Sequence, residues 1–225
     1  MSQEIQAFNS KVEHCLCAPG DGVFTVNTAK ERKAALRNKL YGQTENVDTL
    51  WRESLNELPH SPHKAVMLGI SSDCGGGILR GANWGPLFVR SALIDQHPEC
   101  HSFDLGDVRV IPHLLHDKYL NDTTISNCQK ALYGNENNDY YVSPLSITED
   151  VCDSFYATFK DKGIFGIGGD HSISYPLTKA YLKAKREQGK RTAIIHFDAH
   201  TDLLVERLGI DLCFGSWCTH ILEFL

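Results

Sequence analysis

Short apolar runs alternate with amphipathic stretches over most of the chain after residue 64. AVMLGI at 65–70 and GIFGIGG at 163–169 are continuous apolar runs beside glycine-rich turns, which is typical of buried strands. HSFDLGDVRVI at 101–111 and RTAIIHFDAH at 191–200 predict two further strands. Because continuous runs are expected where both faces of a sheet are covered, the pattern predicts an α/β fold. Its three layers would be a mostly parallel sheet with helices on both faces.

Helical periodicity predicts the elements between these strands. Ser146 and Glu149 have the spacing of a capping box, and the residues behind them predict a helix that ends at Gly163. Residues 172–189 predict a second helix, with Pro176 in its first turns. A strand followed by a helix, repeated in this way, is the expected order for a parallel sheet.

Residues 1–64 differ in sequence pattern from the rest of the chain and predict a helical N-terminal extension. Thr28 and Glu31 have capping-box spacing ahead of a helical stretch. Residues 65–225 are assigned to the α/β domain, with a polar insertion at about 112–145 that is rich in Asn, Asp and Tyr. We expect little regular structure in this insertion.

The composition argues against several classes of function. The chain has 225 residues, with 22 Lys and Arg against 28 Asp and Glu, so its net charge of −6 argues against a nucleic-acid partner. The eight cysteines are scattered without a Cys-x-x-Cys pair, which disfavours a thiolate zinc site. No signal peptide or membrane-spanning run is recognisable, so we expect free thiols, no membrane association and a cytoplasmic location.

Candidate metal ligands stand at the ends of two predicted strands. Asp198, His200 and Asp202 alternate after the run at 191–197, and in an extended segment all three would point to one side. His171 follows two glycines at the end of the other strand. Carboxylates and imidazoles converging in this way need a cation, and the donor types suit Mn²⁺, Zn²⁺, Fe²⁺ or Ni²⁺.

Four neighbouring residues are assigned roles other than that of a metal ligand. Asp170 is either a partner that orients a ligand or an acid that complements a helix N-terminus. His220 is either a proton-transferring or substrate-contacting residue or an ordinary helix residue, and the latter is favoured. His196 is expected to be a core histidine and Trp217 a packing residue.

Two motifs carry a family resemblance. GGDHS at 168–172 and FDAHTD at 197–202 resemble the metal motifs of the ureohydrolase superfamily, which includes arginase, agmatinase, formimidoylglutamase and guanidine hydrolase. The loop at 77–90 and DLGDV at 104–108 are also similar to that family. The resemblance implies an arginase-like fold and a hydrolase of guanidino compounds that uses two divalent metal ions. Mn²⁺ is the expected metal, and Ni²⁺ is the alternative.

The resemblance also implies roles for single residues. His171 and Asp202 would bind one ion, His200 the other, and Asp198 would bridge both. A metal-bridging hydroxide would then cleave a small guanidino substrate to urea and an amine. A homo-oligomer, either a trimer or a hexamer, is expected from the family alone.

The sequence departs from the family in one respect. The family has a later Asp-x-Asp motif, and none follows Asp202. We therefore expect a C-terminally truncated domain with impaired activity. Two alternatives stay open: a non-catalytic family member that acts as a binding or assembly partner, and an amide hydrolase with one metal, similar to the zinc deacetylases. A metal count of two or one in a full-length version would separate the two kinds of hydrolase.

Overall fold

The computed structural model describes residues 2–22, 29–99, 102–136 and 138–225, and its centre is a four-stranded sheet. The strands are β1 (Leu16–Cys17), β2 (Ala65–Ile70), β3 (Phe103–Val108) and β4 (Gly163–Gly168). The helices are α1 (Gln3–Cys15), α2 (Lys30–Tyr41), α3 (Val47–Leu55), α4 (Gly85–Gln96), α5 (Asp122–Tyr133), α6 (Pro144–Thr158) and α7 (Ser174–Glu187). Short 3₁₀ turns lie at Leu58–His60, Ala82–Trp84, Asp117–Tyr119, His171–Ile173 and Thr219–Phe224.

The sheet has the order β1-β3-β2-β4. β2 pairs in parallel with both β3 and β4, whereas the two-residue β1 runs antiparallel to β3. The carboxyl ends of β2 and β4 therefore lie side by side, and the loops that follow them meet at one edge of the sheet. This is the position at which α/β proteins place their sites.

Helices cover both faces of the sheet. Val66, Leu68 and Ile70 point to one face and join the main core together with residues of α1 and α6. Met67 faces the other side, where it lines a cavity with Leu93 of α4. The predicted three-layer α/β fold with a mostly parallel sheet is confirmed.

A buried ion cluster joins α4 to β3. Arg90 donates to Asp104 from Nε at 2.7 Å and from Nη2 at 2.9 Å, and its Nη1 contacts Asp107 Oδ1. Asp107 Oδ2 in turn accepts from the backbone N–H groups of Gly20 at 2.9 Å and Gly22 at 3.1 Å. One arginine thus connects a helix and a strand, and through Asp107 it also reaches the segment that follows β1.

The N-terminal 64 residues contain α1, α2 and α3, but they are not purely helical. β1 belongs to the central sheet, and Phe8, Val12 and Trp51 are buried in the same core as the strands. The proposed division at residue 64 stays a prediction. The capping residue Thr28 lies outside the described residues, and α2 begins at Lys30.

The expectation of little regular structure at 112–145 is wrong, because this segment contains α5, while its assignment as an insertion stays a prediction. Asn121 caps this helix by accepting from Thr124 N at 2.9 Å, and Gly134 ends it with φ 70°. The helix was missed because its sequence is polar and Leu132 is its main buried apolar residue. The capping box at Ser146 is also wrong, since α6 begins at Pro144 and Ser146 Oγ accepts from Asp117 N instead.

The strand expected at 191–200 is absent from the structure. This segment runs along an irregular path and forms no ladder with β4, although its sequence is apolar. Ile195 and Phe197 are 78% and 92% exposed. An apolar run forms a buried strand only where neighbouring elements cover its faces, and the described residues do not cover these two. None of the described helices combines the length and the apolarity that a membrane crossing requires.

Candidate metal centre

A glycine turn at the end of β4 positions the first candidate residues. Gly169 N donates to Ile70 O at 3.1 Å, so the chain stays beside β2 as it leaves the sheet. A Cβ atom at Gly169 would lie 2.0 Å from the carbonyl oxygen of Ser72, a distance that no side chain could occupy. The turn therefore requires glycine, and it brings Asp170 and His171 to the edge formed by the strand ends.

Asp170 connects the two loops at this edge. Its Oδ1 accepts from Ser172 N at 2.8 Å, and its Oδ2 accepts from Gly75 N at 3.1 Å. The side chain is buried, and burial raises the pKa of its carboxyl group. Asp170 caps the 3₁₀ turn that carries His171 and holds the glycine-rich loop after β2, so its observed contacts are structural.

Four side chains converge next to this turn. His171, His196, Asp198 and Asp202 each offer one ligand atom, and these four atoms lie within 4.8 Å of one another. His171 Nδ1 is 2.9 Å from Asp202 Oδ2 and 3.2 Å from Asp198 Oδ2. His196 Nε2 is 3.6 Å and 3.5 Å from the same two oxygens. We call these four residues the donor group.

The donor group has the chemistry of a cation site. Two carboxylate oxygens face the same two imidazoles, and buried His196 Nε2 has no hydrogen-bond partner among the described residues. Asp202 has φ 51°, a left-handed conformation that Asp tolerates better than most residues. A divalent cation would neutralise the carboxylates and bind the lone pair of the free imidazole nitrogen. The residues of the donor group therefore fit a metal ion.

His200 lies beside the donor group but outside it. Its side chain is 83% exposed, and its Nδ1 is 3.3 Å from Asp198 Oδ1. Its backbone N–H donates to the same oxygen at 2.8 Å, a bond that lowers the pKa of Asp198. The two oxygens of Asp198 therefore face different partners: Oδ2 faces the donor group and Oδ1 faces His200. Alternation along a strand does not place these residues, because the strand is absent.

His220 is placed away from the donor group. Its Nε2 lies 3.1 Å from the carbonyl oxygen of Val205, and its ring packs edge-on against Tyr175. The residue belongs to the 3₁₀ turn at Thr219–Phe224. In this position it holds a loop and contacts none of the four donors.

The segment after Asp202 is fixed by contacts to the residues before α5. Asp211 accepts from Lys118 Nζ at 2.5 Å and from the hydroxyl of Tyr119, which itself accepts from Leu212 N at 2.9 Å. Partial burial alone would raise the pKa of Asp211, but the hydrogen bonds from Lys118 and Tyr119 outweigh it and lower the pKa to about 2. The segment is thus held in one place as it leads to Trp217.

Comparison with known proteins decides the family. The model of the arginase family matches residues 63–224. The chain belongs to the arginase family. An agmatinase of Neisseria gonorrhoeae is 31% identical over 170 residues, which is 72% of this chain and 49% of the relative. An agmatinase of Bacillus subtilis is 42% identical over 62 residues, covering 27% of this chain and 20% of the relative.

A solved structure supports the same fold. A protein of Clostridium difficile assigned as an agmatinase superposes with a TM-score of 0.50 at 17% sequence identity, covering 72% of this chain and 51% of that chain. This arginase-family chain therefore spans about half the length of the Neisseria relative and of the Clostridium structure.

Two residues of the centre were missed by sequence reasoning. His196 was expected in the core, yet it joins the donor group, and Trp217 was expected to pack, yet its Nε1 donates to Asp202 Oδ2 at 2.7 Å. A signal existed for His196, since it precedes Asp198 by two residues. No local pattern predicts the contact of Trp217, because it lies fifteen positions after Asp202 along an irregular stretch of chain.

Proposed function

We propose that this chain is a metal-dependent hydrolase of the ureohydrolase type, which cleaves a guanidino compound to urea and an amine. The observation that carries the proposal is the convergence of His171 with Asp198 and Asp202, which follow it by 27 and 31 positions, into one group of oxygen and nitrogen donors. Membership in the arginase family supports the reaction class.

One ion would be held by the donor group. Two imidazole nitrogens and two carboxylate oxygens make a set that Mn²⁺, Ni²⁺ or Zn²⁺ accepts, and Mn²⁺ is our first choice by family resemblance. A bound divalent ion supplies a water of lowered pKa and withdraws electrons from the bond to be cleaved. Asp202 holds the buried side of the site, since its side chain is 5% exposed, whereas the other three donors are 20–33% exposed.

A second ion would have fewer ligands. Asp198 Oδ1 and the exposed His200 Nδ1 face each other at 3.3 Å on the outer side of the donor group. This arrangement supports Asp198 as the carboxylate shared between two ions, with one oxygen for each. Among the described residues, these two atoms are the donors available to the second ion. We therefore expect low turnover by the 225-residue chain.

The substrate class follows from the relatives. The similar Neisseria and Bacillus proteins are agmatinases. Agmatine is therefore our first candidate, ahead of arginine, 4-guanidinobutyrate and guanidine.

A one-metal amide hydrolase is the second candidate. The four donors within 4.8 Å are enough for one ion, and His200 is 83% exposed rather than gathered with them. A ratio near two ions per chain in elemental analysis of the metal-loaded protein favours the ureohydrolase mechanism. Because the outer site has only two donors here, a ratio near one is decided by the product: urea from a guanidino compound favours the ureohydrolase, and hydrolysis of an amide favours the alternative.

The proposed reaction is tested by measuring urea release after loading the purified chain with Mn²⁺ or Ni²⁺. The two test proteins are the unchanged chain and Asp198→Asn. Asp153→Asn is the matched control, because it makes the same change at a surface residue paired with Lys183 at 2.8 Å. We expect slow, metal-dependent urea release from agmatine that Asp198→Asn lowers at least 100-fold and Asp153→Asn leaves unchanged.

Three results would contradict the proposal. One is the absence of metal-dependent urea release from all four guanidino compounds. Another is release that Asp198→Asn does not reduce. The third is a folded protein that retains no divalent metal, which would remove the site itself.

A further inference from the structure

Trp217 contacts three of the four members of the donor group. Its indole Nε1 donates to Asp202 Oδ2 at 2.7 Å. Its ring centroid lies 5.1 Å from that of His171 and 5.1 Å from that of His196, and it meets the ring of His196 edge-on. The side chain is 4% exposed, so these contacts are shielded from water.

The turn that carries Trp217 is itself held in place. Ser216 Oγ donates to the carbonyl oxygen of Asp211 and accepts from Cys213 N at 2.9 Å. Leu204 N donates to Gly215 O at 3.0 Å, which ties the turn to the chain just after Asp202. The indole is therefore presented to the donor group in a fixed orientation.

We propose that Trp217 is a positioning residue for the metal centre: its N–H fixes the carboxylate of Asp202, and its ring fixes the imidazoles of His171 and His196. The inference rests on the proposed function, since it requires the donor group to bind a metal ion. A carboxylate oxygen has two lone pairs. When one accepts the indole N–H, the other and the second oxygen stay available to a cation. Such partners of ligands tune metal affinity.

A role in packing alone is the competing explanation. Trp217 also forms a small apolar cluster with Leu182 and Ile221. If the indole only fills space, a ring without the N–H group would serve equally well. Loss of the N–H matters only if the hydrogen bond to Asp202 holds the ligand.

The experiment compares Trp217→Phe with the unchanged chain, and Trp84→Phe is the matched control because Trp84 lies in the 3₁₀ turn ahead of α4. Mn²⁺ affinity is measured by calorimetry, and the d–d bands of the Co²⁺-loaded protein report on ligand geometry. We expect Trp217→Phe to bind Mn²⁺ about 10-fold more weakly, which is the lower end for loss of a ligand's partner. We also expect its Co²⁺ bands to shift, and Trp84→Phe to match the unchanged chain.

Each outcome decides the proposal. Weaker binding with shifted Co²⁺ bands supports it. Weaker binding with unshifted bands means that the indole only stabilises the fold, and unchanged binding means that it has no role in positioning; both overturn the inference while the proposed function stands. An unchanged chain that binds no metal overturns both. Metal binding without urea release overturns the proposed reaction, and Trp217→Phe still decides the inference.

A fluorescence titration covers the case in which Trp217→Phe fails to fold. Trp84→Phe retains Trp51, in the core, and Trp217. Co²⁺ bound by the donor group would strongly quench an indole that contacts three of the ligands. Quenching of about half of the emission at saturation supports the contact, and emission that does not change as Co²⁺ binds overturns it.

Discussion

Replacing Arg90 by Met should be one of the most damaging single substitutions outside the metal centre. The guanidinium is 1% exposed and donates to Asp104, Asp107 and the carbonyl oxygens of Gly106 and Pro86. Burial alone would lower the pKa of Arg90, but the two carboxylates raise it, so the group is always charged. Met has a similar length and leaves no donor in this position.

The magnitude follows from the residues left behind. Without the cation, Asp107 is a carboxylate with 0% side-chain exposure that retains two backbone donors, Gly20 and Gly22. Removing one partner of a buried ion pair costs about 3–5 kcal/mol. Domains of this size have stabilities of about 5–15 kcal/mol, so Arg90→Met should remove a large fraction of the total.

Urea-induced unfolding followed by circular dichroism measures this loss. Lys64→Met is the matched control, because Lys64 pairs with Asp161 at 2.5 Å with side chains 72% and 70% exposed. Exposed pairs contribute about 0–1 kcal/mol, so the control should unfold near the concentration of the unchanged chain. If Arg90→Met lost less than about 1 kcal/mol, or no more than Lys64→Met, the assignment of Arg90 as a buried structural cation would be refuted.

Three other predictions concern single residues. Gly169→Ala should lower the melting temperature and the metal affinity because its Cβ would collide with a backbone carbonyl, whereas Gly163→Ala, with no atom within 4 Å of the new Cβ, should do neither. The pKa of Asp211 is about 2 when folded and about 3.9 when unfolded, so its stabilising contribution is present above pH 4 and is lost as the pH falls toward 2. Thermal melts of Asp211→Asn should therefore show a weaker acid dependence than melts of the unchanged chain, and equal slopes would contradict this. Burial raises the pKa of Cys15 to about 12, so mass spectrometry should find this thiol unlabelled after iodoacetamide treatment of the folded protein and labelled in urea.

The sequence predicted those parts of the fold that local patterns encode. Apolar runs at 65–70 and 163–168 became β2 and β4, since these two strands pair with each other along their whole length. The run at 191–200 has an equally apolar sequence and is irregular, because strand formation depends on a neighbour and not on composition. Helix α5 is the opposite case, a regular element that was not predicted. Asn121 and Gly134 lie at its ends, but the polar sequence between them was not recognised as helical.

Only those residues of the candidate site that stand in short sequence motifs could be predicted. His171, Asp198 and Asp202 stand in two short motifs, and the donor group contains all three. His196 depends on the path of an irregular segment, and Trp217 depends on a turn fixed by Tyr119 and Asp211, almost a hundred residues apart. Contacts of this kind arise from tertiary packing, which no local pattern records.

The pairing of β1 with β3 has a consequence for the order of folding during synthesis. Leu16 pairs with Val108, and Lys11 of α1 pairs with Asp150 of α6 at 2.6 Å. At about 5–20 residues per second, the ribosome needs roughly 7–28 seconds to deliver α6 after α1 has been made. During that time Phe8 of α1 lacks its aromatic partners Phe155 and Phe159. Helix α1 is thus made before α6 but reaches its final place only after α6 has left the ribosome.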